Sequence, residues 1–409
     1  MGDLSLPVRS KAFGYLWSAS VSSAIGTSAG VLCLTWLVFT QTDSALDVAA
    51  LAITQIVPLA VFGVFGGPLV DRFSRTKIML VGNGLRAVVM ASLSAYQFEH
   101  GFAWWIVFPG SFVLGVGSAL FRPALNAFLP QTMKVEQLGV ANGLLQSGTQ
   151  TAGVLGGPIA GFVIAGLGVD FAILLNGTTY ALSTAFVLVA ARSHRRGHPP
   201  RADSTPGPGF AREISEGFAY LRGAKGLLSL TLVSWATTPF LYMFSSFLVV
   251  YVAQVLSNGA LVLGFLFAAV AVGVVSGGIL AGRYQLQHAF GTYYTFSTMC
   301  AGMAILGLVF FRTPTADYLV VFVYGLSVGF GTTTFFTCVQ RIVPNRLLGR
   351  YLSMNIAGTY VMISAGQLCG GVVISIGGIV IDFAIAGIGA AVVSLGVLVS
   401  PAVRTLRAR

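Results

Sequence analysis

The chain has 409 residues, of which 56% are hydrophobic and only 9% charged, with a formal net charge of +11. A soluble protein carries about 25% charged residues, so the composition excludes a soluble globular domain and leaves an all-α integral membrane protein. The surplus cations lie between apolar runs and build no solvated basic domain, which argues against a nucleic-acid partner.

About 20 apolar residues carry a helix across a bilayer. By that rule the sequence predicts twelve spans, at about 12–39, 47–69, 77–97, 102–127, 138–166, 170–191, 227–253, 260–282, 290–311, 317–340, 350–375 and 379–400. The first apolar run, 12–42, is too long for the apolar core of a signal peptide. Spans two and three flank Gly66-Gly67-Pro68-Leu69-Val70-Asp71-Arg72-Phe73-Ser74-Arg75-Thr76-Lys77, where one carboxylate and three cations crowd the membrane edge. Arg86 sits near the middle of span three, a costly depth that demands protein or a wet cavity around it. Either backbone carbonyls or Asn83 hold it for structure, or it serves function. Arg122 lies about one turn inside the end of span four, and fits either a snorkelling arginine or a charge relay with Asp71.

Residues 192–226 interrupt the pattern as a linker. Phe210, Ile214, Phe218 and Leu221 recur there at helical spacing opposite charged residues, which predicts a short amphipathic helix lying on the inner membrane surface. Ser257-Asn258-Gly259 splits the long uncharged run 226–282 into two spans. The four cysteines lie in apolar runs without metal-ligand spacing and read as core residues; no metal site is expected.

The halves repeat. Gly67 to Phe73 matches Gly278 to Tyr284 at an offset of 211, Val169 to Ile173 matches Ile381 to Ile385 at 212, and Leu138-Gly139 matches Leu348-Gly349 at 210. Residues 1–191 and 227–409 are therefore expected as two pseudo-symmetric six-helix bundles joined by a cytoplasmic linker, 192–226. The repeat equates Asp170 with Asp382, each at the start of a span, so both are expected to cap helix N-termini rather than carry protons. No acidic residue is then left deep in any span. Odd-numbered loops hold Asp43, Asp47, Glu99, Asp170 and Asp317 against one cation, Arg312, whereas the even loops and termini hold nearly all remaining Lys and Arg. That asymmetry places both termini in the cytoplasm.

Gly67, Leu69, Asp71, Arg72 and Arg75 fall on the defining positions of a loop signature, G-x-L-a-D-R-x-G-R-R/K. The run resembles the major facilitator superfamily, with Ser74 and Thr76 departing from its pattern. Gly153, Gly157, Pro158 and Gly161 fit G-x-x-x-G-P-x-x-G, which resembles the antiporter motif of the superfamily's exporters; helix packing alone would also account for it. Leu120-Phe121-Arg122-Pro123-Ala124, Leu129-Pro130, Glu136-Gln137-Leu138, Ala141-Asn142-Gly143-Leu144 and Leu348-Gly349-Arg350 resemble the branch of macrolide-efflux and enterobactin-export proteins. The resemblance implies export of an amphiphilic small molecule across the inner (plasma) membrane, usually driven by protons, by a monomer without cofactors.

By the same resemblance, spans 1, 2, 4, 5, 7, 8, 10 and 11 line the cavity. Polar candidates on them are Gln55, the stripe Asn142, Gln146 and Gln150, then Trp235, Tyr242, Gln340, Asn355, Thr359 and Tyr360. Few polar anchors in an apolar pocket suit an amphiphile; inter-helix hydrogen bonding is the alternative for each. Gating is expected from Gly67, Asp71, Arg72, Arg75 and Arg122, with Asp71 meeting Gly349 and Arg350 and with Arg283 meeting Glu136. An anionic metabolite such as a siderophore, a lipid, facilitated transport, and a non-transporting receptor stay open. No nucleophile–base pair or phosphate loop supports an enzyme.

Overall fold

The computed structural model describes residues 10–133, 137–195, 210–284 and 290–399. Among the described residues there are fourteen helices and no strand: α1 Lys11–Thr42, α2 Ala45–Arg72, α3 Arg75–His100, α4 Trp104–Thr132, α5 Leu138–Leu167, α6 Val169–Arg195, α7 Phe210–Gly223, α8 Lys225–Ser246, α9 Leu248–Gln254, α10 Ala260–Arg283, α11 Phe290–Phe311, α12 Pro314–Ile342, α13 Asn345–Gly377 and α14 Ile379–Val399. Ten segments are long and apolar enough to cross a membrane, α8 and α9 together making one of them. The shorter apolar stretches Ala45–Leu59 in α2 and Ile379–Leu395 in α14 fall where the second and twelfth spans are expected.

The helices turn the polarity of a soluble protein inside out. α3 exposes Val81, Leu85 and Val88 and buries Asn83, Arg86 and Ser94. α11 exposes Phe296, Met303 and Phe310 and buries Thr295, Ser297 and Thr298. Apolar side chains outward and hydroxyls inward are what a hydrocarbon solvent selects, because an unsatisfied polar group in lipid costs several kcal/mol.

The chain divides into two compact units. The first holds α1 up to Leu37, α2 from Thr54, and α3 to α6; the second holds the connection Val38–Ile53 and α7 to α14. In the first unit α3 packs on α4 and α6. Gly82 and Gly117 bring α3 and α4 together; a Cβ on Gly82 would lie 3.3 Å from the Gly117 carbonyl oxygen.

In the second unit α10 and α12 interlock through glycines spaced four apart, Gly273 and Gly277 against Gly325 and Gly329. A Cβ on any of these four would strike backbone of the facing helix, at Phe322, Leu326, Val270 and Val274 respectively. Small residues at this spacing let two helices in lipid approach backbone to backbone. α8 and α9 are separated at Phe247, and Ser257, with φ 49°, turns the chain before Gly259 opens α10.

α7 forms where the linker periodicity predicts a helix. Leu221 is buried with Leu227 and Leu230 of α8 and with Tyr351 and Met354 of α13, and the Tyr220 hydroxyl donates to the Ile342 carbonyl at 3.5 Å. Phe218, of the same apolar stripe, is exposed. Residues 196–209 of the expected linker lie outside the described residues.

Candidate functional site

In the first unit the polar stripe of α5 is built as expected. Asn142, Gln146 and Gln150, one helical turn apart, are all exposed on one face. Arg122 reaches this face from α4, donating through Nη2 to Gln146 Oε1 at 3.4 Å. α4 continues through Pro123 and Pro130 to Thr132, so Arg122 stands ten residues, about 15 Å, inside the end of the helix.

Trp17 of α1 closes one side of this face, donating its indole N–H to the Leu144 carbonyl at 3.0 Å and lying over Gly148. One register further, Gly156 receives Ile25, Ser28 and Ala29 of α1; a Cβ there would come within 2.5 Å of the Ile25 oxygen. The glycines named by the sequence motif divide on this point. Gly157 and Gly161 are buried, Pro158 lies within the helix, and Gly153 faces open space. The close α1–α5 approach therefore belongs to Gly148 and Gly156.

The second unit repeats this arrangement with α8 and α13. Trp235 lies on Gly358, and Pro239 on Gly366. Gly148 and Gly156 match Gly358 and Gly366 at an offset of 210, the offset already present at Leu138-Gly139 and Leu348-Gly349. The sequence therefore held the signal for these contacts, and the motif drew attention to Gly153 instead. Trp235 also packs near Phe218 of α7, and Asn355 is buried, with Thr359 donating to its carbonyl. Tyr242 and Gln340 are exposed, Tyr360 is half-buried, and Gln55 is half-buried with its carbonyl against Gly115.

The expected gating residues lie on several helices of the two units. Gly67, Asp71 and Arg72 occupy the final turns of α2, and their side chains lie outside the described set; Glu136 lies outside the described residues. Arg75 opens α3 half-buried, its Nε without a hydrogen-bond partner. Arg283 ends α10 exposed; Gly349 and Arg350 lie in the first two turns of α13, with Gly349 exposed and nothing beside it.

Two buried ionic groups show what sequence reasoning missed. Arg86 is 1% exposed and is held by side chains rather than by backbone carbonyls. Nη1 donates to Ser23 Oγ and Asn83 Oδ1, both at 3.0 Å, and Nη2 to Thr27 Oγ1 at 2.6 Å and Tyr180 OH at 2.8 Å. The guanidinium also lies 3.9 Å above the Tyr180 ring. Such a cage makes Arg86 a structural clamp between α1, α3 and α6.

The second is Asp382, where the capping expectation fails. Gly168 and Gly378 both take positive φ before α6 and α14, but Asp170 follows its glycine by two residues and Asp382 by four. Two residues further in is about 3 Å deeper and about 200° around the helix. Asp382 is fully buried, and neither carboxyl oxygen has a hydrogen-bond partner. Asp317, assigned to a loop by its charge, is also fully buried, in the first turn of α12, where its Oδ2 accepts from Tyr251 OH at 2.9 Å.

A multi-pass helical membrane protein, with two units that repeat one helix-on-glycine arrangement, belongs to the class of membrane transporters. The Major Facilitator Superfamily description matches residues 16–367, and the chain belongs to that family. It is 28% identical over 350 residues to Macrolide efflux protein A of Streptococcus pyogenes, covering 84% of both chains. It is 28% identical over 192 residues to the lysophospholipid transporter LplT of Yersinia enterocolitica, covering 46% of this chain and 45% of that one. A solved point mutant of the nucleoside transporter NupG superposes with a TM-score of 0.76 at 12% identity, covering 95% of this chain and 99% of that one.

Proposed function

We propose that this transporter exports an amphiphilic, macrolide-like small molecule from the cytoplasm by alternating access, driven by the proton gradient. It would do so as a monomer in the plasma membrane with both termini cytoplasmic. The observation that carries the reading is the similarity to Macrolide efflux protein A over 84% of both chains. The exposed polar stripe Asn142, Gln146 and Gln150, with Arg122 beside it, supplies the few polar anchors an amphiphile needs on an otherwise apolar surface. Tyr242, Gln340, Thr359, Tyr360 and Gln55 extend that set; Trp235 and Asn355 shape it from within. The inner gate closes when Asp71 meets the first turns of α13 at Gly349 and Arg350, drawn by the cation and the helix dipole. Arg283 and Glu136 form the counterpart.

The lysophospholipid transporter relative supports a second reading, export of a lipid. Both are tested by heating the purified full chain with erythromycin, a lysophosphatidylethanolamine or a catecholate siderophore. A ligand bound at about 100 times its Kd stabilises the fold by about 2.7 kcal/mol. A saturable rise in melting temperature with erythromycin is expected. A rise with the lysophospholipid alone moves the assignment to lipid, one with the siderophore alone moves it to an anionic metabolite, and no rise with any of them contradicts export of this class. Asp71→Asn should slow transport while leaving membrane insertion intact; an unchanged rate removes Asp71 from the gate.

A further inference from the structure

We propose that Asp382 is a proton-binding site, the group in the second unit that takes up and releases the coupling proton. The proposal rests on the export reading with a proton gradient as its drive, and gives that drive an address. It starts from what surrounds the side chain. Asp382 is fully buried in the first turns of α14, and both oxygens lack a hydrogen-bond partner. One oxygen faces Gly370 of α13, where an added Cβ would lie 3.2 Å from Oδ1 and would also meet the Phe247 ring. The missing side chain at Gly370 is what makes room for the carboxyl. An isolated carboxylate in such a place is far more costly than the neutral acid, which loses only its hydrogen bonds.

The neighbouring charges do not relieve it. Around this end of α14 the titratable and charged groups among the described residues are Tyr242 on α8, Tyr251 on α9, Arg312 just after α11, Asp317, Tyr318 and Tyr324 on α12, Cys369 on α13, and Asp43 and Asp47 on the Val38–Ile53 connection; Tyr324 meets Phe244, which meets Phe383 beside Asp382. None is a hydrogen-bond partner of Asp382. Tyr251 is committed elsewhere, to Asp317 Oδ2 at 2.9 Å and the Leu308 carbonyl at 3.2 Å, while its ring stacks on Phe383 at 5.2 Å. Arg312 donates to Val309, and Asp43 accepts from Gln254. Asp317 has a side-chain donor on Oδ2, with only Oδ1 unpartnered; Asp382 has none on either oxygen. The two buried acids differ in the feature that decides whether a proton must be held.

A path from proton to backbone runs through two adjacent glycines. Gly370 abuts Asp382, and Gly371 seats the Val38–Ile53 connection: an added Cβ there would lie 2.8 Å from Ala49 Cβ and 3.3 Å from the Ala45 carbonyl oxygen. When hydronium gives its proton to the carboxylate, a neutral acid and a water result, and α13 can close over the site. When water takes the proton back, the carboxylate must be hydrated, which opens the packing of α14 on α13 beside the seat of that connection.

The test reads the proton directly. The full chain in lipid nanodiscs is titrated while infrared difference spectra record the carbonyl stretch of protonated carboxylic acids. The wild type should show a titrating acid band that Asp382→Asn removes and Asp317→Asn retains; Asp382→Glu should keep a displaced band. A full band surviving in folded Asp382→Asn overturns the proposal, as does its loss in Asp317→Asn alone. If Asp382→Asn does not fold, Asp382→Glu decides: a band unchanged in position and titration is not Asp382 and overturns it. In proteoliposomes, Asp382→Asn should lose about tenfold of the erythromycin accumulation driven by a pH gradient. Accumulation at the wild-type level overturns the proposal. If the wild type moves no erythromycin, the export reading fails and the infrared result still stands on its own.

Discussion

The two units share a scaffold and differ in the charge they bury. In each, a tryptophan of the first helix lies on a glycine of the fifth, Trp17 on Gly148 and Trp235 on Gly358, and a second glycine eight residues on admits the first helix again. Into this common frame the first unit sets Arg86, met by four side chains. The second sets Asp382, met by none. A cation met by four side chains, with only its Nε left over, is a clamp; an acid met by none is the group proposed above to change its charge. Duplication fixed where the helices touch and left the buried charges free to diverge.

Variants that strip one unit of its distinguishing group should break this comparison. The largest effect is expected from Arg86→Ala, which empties a filled site and leaves Ser23, Asn83 and Tyr180 without their donor. A loss of about 3–5 kcal/mol is expected, read as a collapse of the monodisperse fraction and melting temperature in detergent. Arg86→Lys, with one point charge for a planar fork, should recover part of it. A wild-type melting temperature for Arg86→Ala would remove the clamp.

The shared scaffold is probed next. Gly156→Val and Gly366→Val should each cost about 1–3 kcal/mol, because the added carbons meet backbone of α1 and of α8. Gly153→Val should stay near the ordinary cost of a surface change, about 0.5 kcal/mol. Equal losses at Gly153 and Gly156 would return the helix contact to the motif glycine. At the low end of the buried-glycine range is Tyr251→Phe, which removes the side-chain donor to Asp317 and should cost about 1 kcal/mol. Its thermal shift should shrink in an Asp317→Ala background, which removes the side-chain acceptor; additive shifts would mean that the pair does not interact.

Much of this was legible in the sequence. Apolar runs of membrane length gave the helices, and the Ser257-Asn258-Gly259 turn split the longest run where the backbone turns at Ser257. The spacing of Asn142, Gln146 and Gln150 put them on one exposed face of α5. What stayed hidden depended on helix phase. Equal sequence offsets made Asp170 and Asp382 look equivalent, though two residues between glycine and acid turn one of them inward. Arg86 offered its depth and one partner, Asn83, but not Ser23, Thr27 and Tyr180, which lie far away along the chain.

The central claim is that this frame moves an amphiphile against its gradient. The most direct measurement is uptake of radiolabelled erythromycin by inside-out proteoliposomes of the purified full chain, energised by an imposed pH gradient, acid inside. Saturable accumulation above protein-free vesicles, abolished when a protonophore collapses the gradient, is the predicted result. Uptake equal to that of protein-free vesicles would contradict it.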